Sequence, residues 1–130
     1  MADYIFSTTT TGPIDDARER VIAALATESF GVLTEIDVAT VMKTKLGKEI
    51  DPYLILGACN PALSFRAITA EESIGALLPC NVVLREDAGR VVVDFMDPQA
   101  VLDLVDSDDV RVIATEVRES LERVRALIGA

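Results

Sequence analysis

Two cysteines, each followed by asparagine, are the residues in this chain whose types and placement best fit chemistry. Cys59 and Asn60 lie in the segment GACNP, residues 57–61, and Cys80 and Asn81 lie in LPCN, residues 78–81. Each pair sits where a predicted strand meets a connection bounded by proline. A thiolate is a nucleophile and a metal ligand, so the two thiols are the first candidates for a reactive site.

The strands on either side predict that these thiols are neighbours. YLILGAC, residues 53–59, is a nearly continuous apolar run, typical of a central strand buried on both faces. CNVVLRE begins a further strand at Cys80. If the two strands pair in antiparallel fashion, the end of the first lies beside the start of the second. We therefore expect Cys59 and Cys80 at one edge of the sheet, where a mild oxidant would join them.

Cys59 is predicted to be the more reactive thiol. Asn60 and Pro61 are a helix cap and a first-turn proline, so a helix should begin directly after the strand. The unpaired amides of a helix start favour a thiolate, and Cys80 would then be the resolving partner. Gly57 would let a ligand or another backbone approach closely.

A purely structural interpretation accounts for the same residues. Free cysteine is among the residue types most often buried, and capping alone explains Asn60. Gly57 can simply be crowded by a helix. Glu35 leaves a similar choice: in the strand VLTEID it alternates with Leu33 and can point toward the core, where it would need a partner, or Thr34 and Ile36 can be the inward pair.

Composition excludes several kinds of site. The chain has no histidine, so histidine-dependent catalysis is absent, and two cysteines cannot complete a structural zinc site within one chain. No phosphate-cradling glycine motif occurs, and we expect no metal and no cofactor. The net charge of -10 repels nucleic acid and anionic membrane surfaces, so neither is an expected partner.

The order of predicted elements indicates one domain over residues 1–130. Strands and helices alternate as β α β α β α(α) β β α(α), with a hairpin whose turn spans residues 87–89. Alternation in this hairpin places Val91, Val93 and Phe95 on one face and Asp94 on the other. This order predicts an α+β fold of two layers, an antiparallel sheet covered by helices. In the last helix an apolar stripe faces the sheet. It consists of Val110, Ile113, Val117, Leu121, Val124 and Ile128.

Two shorter helices carry predictions that depend on local signals. Asp37 and Gly47 bound a helix over residues 38–46, expected to turn its apolar residues inward, namely Val38, Val41, Met42 and Leu46. All three lysines of the chain lie within residues 43–48. They are either an anion-binding patch or cations that offset the helix dipole at the C-terminal end of the helix. Thr69 and Glu72 match a capping box for a further helical turn.

Targeting signals are not evident. The N-terminal segment MADYIFSTTT lacks the cationic start and the apolar core of a secretory signal. Apolar runs reach six or seven residues, and a membrane span needs about twenty. We therefore expect a cytoplasmic protein with reduced thiols.

Four blocks in order resemble a known family, the domain of unknown function 302. They are FGVLTEIDV, KLGKEIDPYLILGACNP, IGALLPCNVVL and VVVDFMDP, over about residues 30–98. The resemblance implies a TATA-binding-protein-like fold with a β-α-β4-α core and extra helices, and small homodimers. It implies no reaction, so the motif residues carry over only as motif positions. They are Glu35, Gly57, Cys59, Asn60, Cys80 and Asn81.

Three functions remain open from the sequence. The chain is either a homodimeric module that binds a small ligand or a protein partner near the Cys59/Cys80 edge, or a thiol-dependent protein in which Cys59 reacts and Cys80 resolves, in redox or sulfur handling. A purely structural or interaction role is the third possibility. A homodimer is expected because half of the residues are hydrophobic, more than a thin two-layer core readily covers.

Overall fold

The computed structural model describes residues 3–129. They form a five-stranded sheet, and helices pack on one face of it to enclose the core. The strands are β1 (Ile5–Thr10), β2 (Gly31–Asp37), β3 (Tyr53–Cys59), β4 (Cys80–Asp87) and β5 (Arg90–Met96). The helices are α1 (Ile14–Ala26), α2 (Val38–Leu46), α3 (Pro61–Ala70), α4 (Pro98–Leu102) and α5 (Asp108–Ile128), and a 3₁₀ helix spans Glu72–Leu77.

The sheet has the order β1-β5-β4-β3-β2, and every neighbouring pair is antiparallel. The predicted α+β class with an antiparallel sheet is therefore confirmed. The order of elements fits a β-α-β4-α core in which α2, α3 and α4 are the extra helices. A relation to the TATA-binding-protein fold stays a prediction.

Alternation along the strands divides the sheet into two faces. The inner face, which packs against the helices, includes Phe6, Leu56, Val82 and Phe95, all buried. Phe6 and Phe95 stack with ring centroids 5.2 Å apart. The predicted apolar stripe of α5 is buried against this layer along its whole length. Each such aliphatic or aromatic side chain contributes about 1.5–3 kcal/mol on burial, so this layer stabilises the fold.

Helix α2 has the predicted bounds but not the predicted burial. The Asp37 side chain accepts a hydrogen bond from the amide of Thr40, and Gly47 ends the helix with a left-handed φ of 66°. No residue of α2 is buried, so the expectation that its apolar residues face inward is wrong. We call residues 31–52 the arm, because none of them is buried.

The predicted capping box is also wrong. Thr69 lies inside α3, where its hydroxyl donates to the carbonyl of Phe65, and no side chain caps the 3₁₀ helix that follows. The cause is the longer extent of α3, which continues through Ala70 and so takes the threonine into a helix interior.

Candidate functional site

The register of β3 and β4 decides where the two cysteines lie. The strands pair in antiparallel fashion, as predicted, but Cys80 stands opposite Ala58, and Asn81 stands opposite Gly57. Ala58 and Cys80 are both buried on the inner face. Cys59 and Cys80 are free thiols that are not at disulfide distance. The expectation of a disulfide between them is therefore wrong. The two strands are neighbours, but Cys59 lies one residue beyond the partner of Cys80, so the two side chains point to opposite faces of the sheet.

Cys80 is a poor candidate for thiolate chemistry. Its side chain lies within the hydrophobic core beside Ala58. Burial, together with the charge of Cys59, raises the pKa of the Cys80 thiol to about 11. A buried thiol with this pKa stays protonated at neutral pH, so Cys80 does not suit the role of a resolving thiol.

Cys59 has the predicted position directly before a helix. The Asn60 side chain accepts a hydrogen bond from the amide of Leu63 at 3.3 Å and donates to the carbonyl of Glu28 at 3.3 Å. The Cys59 sulfur lies 3.1 Å from the hydroxyl oxygen of Ser64. These two residues occupy the positions before the cap and four beyond it, which commonly contact each other at helix starts. The helix start is confirmed, while the reactivity of Cys59 stays a prediction.

Gly57 is crowded by a neighbouring strand and by a proline. A Cβ atom at this position would overlap Thr34 Oγ1 and lie 2.8 Å from Pro79 Cγ. Thr34 is its partner on β2, and Pro79 follows a cis peptide bond just before β4. The close approach expected at Gly57 is therefore made by these two side chains, and neither a ligand nor a helix is needed to explain the glycine.

Glu35 points to the side of the sheet that carries the helices. Its carboxylate accepts two hydrogen bonds from Arg18 of α1, at 2.6 Å from Nε and 2.7 Å from Nη2. These bonds lower the pKa of the Glu35 carboxyl below its ordinary value. Leu33 does not accompany it, because the register shifts between Val32 and Thr34, and Leu33 is 68% exposed.

Four of the six motif residues are divided between the two faces of the sheet. Gly57 and Asn81 are paired on the outer face, the side of the sheet away from the core, and Asn81 is exposed. Cys80 and Glu35 lie on the inner side. They do not converge on one point as a catalytic cluster would.

The cavity at this edge is small. It has a volume of about 20 Å³, with Asn60, Ser64 and Cys80 among the residues that line it. That space holds about one water molecule, whereas pockets for small ligands have about 300–1,000 Å³. An open groove of about 450 Å³ lies outside it, with Asn60, Ser29 and Arg123 in its lining. A ligand at this edge must therefore bind on the surface.

Residues 3–129 offer neither a metal site of acidic and thiol ligands nor a membrane-spanning helix. Within this range, no three or more cysteine, aspartate and glutamate side chains are arranged to hold a metal ion. None of the helices described there combines the length and the apolar character needed to cross a membrane.

Sequence reasoning missed a polar network on the outer face. Asp94 accepts hydrogen bonds from Ser7 at 2.5 Å and from Arg85 at 3.0 Å. The register aligns Ile36, Ile55, Val83, Asp94 and Ser7 in one row across all five strands. The alternation of the hairpin did place Asp94 opposite the buried valines, but its partners depend on strand order, which the sequence does not contain.

Comparison with known proteins gives the family of this chain. The crystal structure of an uncharacterized conserved DUF302 protein from Bacillus stearothermophilus is similar in fold, with a TM-score of 0.91 at 23% identity, covering 98% of this chain and 99% of that chain. No curated protein matches. The model of the family described as Domain of unknown function DUF302 matches residues 6–128. Because this match spans nearly the whole chain, the chain belongs to the DUF302 family.

Proposed function

We propose that this chain is a cytoplasmic binding module that works as a homodimer, with the arm as part of the contact between the copies. One observation carries the proposal: the arm contains several large apolar residues, but none of its residues is buried. Leu33 and Leu46 are 68% and 63% exposed, and Ile36, Val41 and Ile50 are exposed as well. Contiguous exposed apolar surface marks interaction sites on soluble proteins. A second copy would remove this surface from water.

The helix within the arm supports the same proposal. Isolated helices shorter than about 12–15 residues are marginal in water, and helices in proteins draw most of their stability from packing an apolar face. Helix α2 has 9 residues and buries none of them. Its cap at Asp37 contributes about 1 kcal/mol, and the cap with the end at Gly47 defines the bounds of the helix, but neither replaces the packing of an apolar face. A covering surface would supply what this helix lacks.

The ligand or partner of the module is proposed to bind at the outside of the Cys59/Cys80 edge. The internal cavity there holds about one water molecule, so a larger ligand requires the surface. Asn81 is exposed on the outer face, and its amide offers donors and acceptors to such a ligand. The groove of about 450 Å³ beside Asn60 lies between α3 and α5, on the helix side of this edge, and is a separate surface from that of Asn81.

Light scattering tests the dimer. We expect the wild-type chain at micromolar concentration to have twice its mass of 14.0 kDa. The double variant Val41→Asp, Leu46→Asp places charges on the arm and should shift the mass toward that of one chain. Val112→Asp is the matched control, because Val112 is 58% exposed on α5 and lies outside the arm. A wild-type mass of 14.0 kDa at all these concentrations would refute the dimer.

Native mass spectrometry of the purified protein tests the binding site. A ligand retained by the wild-type chain should appear as added mass, and Asn81→Ala should lower its occupancy. Asn60→Ala serves as the comparison, because Asn60 caps α3 and its loss should act first on stability. Retention of the ligand unchanged by Asn81→Ala would contradict the site.

A thiol-dependent activity carried by Cys59 alone is the second candidate. It is favoured by the position of Cys59, which is partly exposed, precedes a capped helix and lies 3.1 Å from the Ser64 hydroxyl. Native mass spectrometry distinguishes it from the first candidate. A covalent adduct that disappears in Cys59→Ser supports the thiol function, and a non-covalent ligand that remains in Cys59→Ser supports the binding module.

A further inference from the structure

We infer that β1 is a docking edge for an acidic, extended segment of a partner protein, which would pair with it as a sixth strand of the sheet. In this mode of recognition main-chain hydrogen bonds supply affinity, and side chains beside the edge supply specificity. The site lies outside the proposed function, because β1 and β2, the strand of the arm, form opposite edges of the sheet.

The side of β1 that faces away from β5 carries hydrogen-bonding groups of the main chain. Within residues 3–129, β1 pairs with β5 alone. The carbonyl of Tyr4 accepts a hydrogen bond from the amide of Asp97 at 2.7 Å, so these two residues form a hydrogen-bonded pair just before the strand. Such pairs alternate with pairs that lack hydrogen bonds along an antiparallel ladder. The N–H and C=O groups of Ile5, Ser7 and Thr9 therefore point to the open edge.

β1 lacks the features that protect edge strands. Its six residues include no proline and no charged residue, and its register with β5 is continuous over all of them. Natural edge strands are commonly blunted by charges, proline or bulges. The opposite edge strand, β2, has a register shift between Val32 and Thr34 and contains Glu35 and Asp37. β1 is therefore the edge of this sheet that suits the addition of a strand.

Three arginines beside β1 lack an acidic partner. Among the ion pairs of residues 3–129, Arg20, Arg90 and Arg125 do not take part, whereas every other arginine does. Arg20 and Arg90 donate to threonine hydroxyls of β1 at 2.9 and 2.8 Å. The Arg125 guanidinium lies 5.1 Å from the centre of the Phe6 ring in the same strand. All three cations are thus held at this edge.

The carboxylates near β1 do not neutralise these arginines. Asp94 and Asp97 form ion pairs with other arginines. Asp87 stands opposite Arg90 across the hairpin, but the Arg90 guanidinium is bonded to β1. Asp3 is exposed and precedes the strand, and the acidic residues at the start of α1 line a groove on the side of β2. The C-terminal half of β1 is therefore its basic half.

Local charge decides the kind of partner, although the chain as a whole has a net charge of -10. At physiological ionic strength charges are largely screened beyond about 8 Å, so a bound segment responds to the guanidinium groups beside the edge. Guanidinium groups form strong, charge-assisted hydrogen bonds with carboxylates. An extended segment that contains glutamate or aspartate therefore matches this edge.

A segment of a different protein fits the edge better than a second copy does. This choice rests on the proposed dimer, in which the arm already joins two copies. A further contact between two β1 strands would link dimer to dimer in an open chain of copies. A closed dimer therefore leaves β1 for a partner protein.

Fluorescence anisotropy with labelled heptapeptides tests the docking edge. In the probes valine alternates with glutamate, with glutamine or with lysine. We expect the glutamate peptide to bind the wild-type chain about tenfold more tightly than the glutamine peptide, because several exposed ion pairs add small contributions. The lysine peptide should bind most weakly, and high salt should reduce the preference. No binding of the glutamate peptide, or equally strong binding of the lysine peptide, would overturn the inference.

Two variants of Ser7 test the edge itself. Ser7→Pro removes the outward N–H but no hydrogen bond to β5, and proline is tolerated at such positions of edge strands. Ser7→Ala is the matched control, because it removes the same hydroxyl, which donates to Asp94, and keeps the N–H. We expect Ser7→Pro to weaken binding of the glutamate peptide about tenfold and Ser7→Ala to leave it unchanged. Equal binding by wild type and a folded Ser7→Pro would place the peptide elsewhere and overturn the inference.

Two double variants with the same change of charge test the arginines. Arg20→Gln, Arg90→Gln should reduce the preference for the glutamate peptide over the glutamine peptide, because two of the cations beside β1 are lost. Lys43→Gln, Lys45→Gln removes the same charge from the arm and should retain the preference. A preference that depends on the lysines and not on the arginines would contradict the inference.

Hydrogen exchange followed by NMR gives a readout that needs no variant. On addition of the glutamate peptide, the amides of Ile5, Ser7 and Thr9 in the wild-type chain should exchange more slowly, because they become bonded to the peptide. The amides of β2 should not change. Protection at β2 without protection at β1 would overturn the inference.

Light scattering separates this inference from the proposed dimer. Ser7→Pro should keep the mass of two copies, and a shift to one copy would show that a second copy occupies β1, which would overturn the inference. If the wild-type chain has the mass of two copies but does not bind the glutamate peptide, only this inference falls. If it has the mass of one copy and binds the peptide at β1, the dimer falls and the docking edge stands.

Discussion

Cys80 stands opposite Ala58 in the β3–β4 ladder, one residue away from Cys59, and this offset separates the properties of the two thiols. Cys80 is buried in the core, and its pKa is raised to about 11. Cys59 is only partly buried at the start of α3. The two cysteines therefore lie in different environments, one in the core and one partly exposed, and they are not at disulfide distance.

Alkylation should distinguish them. Iodoacetamide at neutral pH is expected to modify Cys59 in the folded protein and to leave Cys80 unmodified until the chain unfolds, because a thiolate is the reacting species and Cys80 is buried and protonated. Peptide mass spectrometry measures both sites in one sample. The Cys59→Ser variant should lose the modification of the folded state, whereas equal labelling of Cys80 would contradict its burial.

Replacing Gly57 by alanine should destabilise the fold by about 1–3 kcal/mol, because the added methyl group would meet Thr34 Oγ1 and Pro79 Cγ. Denaturant unfolding measures the change in the free energy of unfolding. Gly75→Ala is the matched control, since nothing lies within 4 Å of a Cβ there. Adding Thr34→Ala to Gly57→Ala should restore part of the loss, and a Gly57→Ala protein as stable as wild type would refute the crowding.

The Glu35–Arg18 pair predicts a pH dependence of stability. The pKa of Glu35 is lowered in the folded state from its ordinary value of 4.5, so the pair stabilises the protein above that pH and ceases to do so as the pH falls through the lowered value. Glu35→Gln should therefore cost about 1 kcal/mol at pH 7 and progressively less in acid. Glu19→Gln, which removes the other carboxylate bonded to Arg18, should show a smaller effect. A loss from Glu35→Gln that does not change with pH would contradict this account.

Asn60 and Asn81 should differ although both follow a cysteine. Asn60 caps α3 and also bonds the carbonyl of Glu28, so Asn60→Ala should lower the free energy of unfolding by about 1 kcal/mol or slightly more. Asn81 is exposed on the outer face, and Asn81→Ala should change stability by less than about 0.5 kcal/mol. Thermal unfolding of the two variants decides the point, and equal losses would argue against separate roles.

Local signals in the sequence were sufficient for much of the fold. Asp37 and Gly47 set the ends of α2, and alternation in the hairpin placed Val93 and Asp94 on different faces, as observed. These features depend on residues close together in the chain, which is why they were predictable. The burial of α2 was not predicted correctly, because apolar residues in a helix indicate that some surface covers it but do not identify that surface.

The candidate site was predicted only in part for the same reason. Antiparallel pairing of β3 and β4 was correct, but the register that sets Cys80 opposite Ala58 is a property of the folded sheet, and a shift of one residue exchanges the faces of every side chain. The shift at Leu33 likewise broke the alternation that linked Leu33 to Glu35. The partner of Glu35, Arg18, lies in a different element and carries no sequence signal that connects the two.

Hydrogen exchange measured at several protein concentrations tests the central claim, that a second copy covers the arm, most directly. Amides of α2 should be protected at high concentration and exchange faster on dilution below the dimer dissociation constant, because α2 has no buried residue within its own chain. Amides of α5, which is buried along its apolar stripe, should keep their protection throughout and serve as the internal control. Rapid exchange of α2 at every concentration would contradict the account.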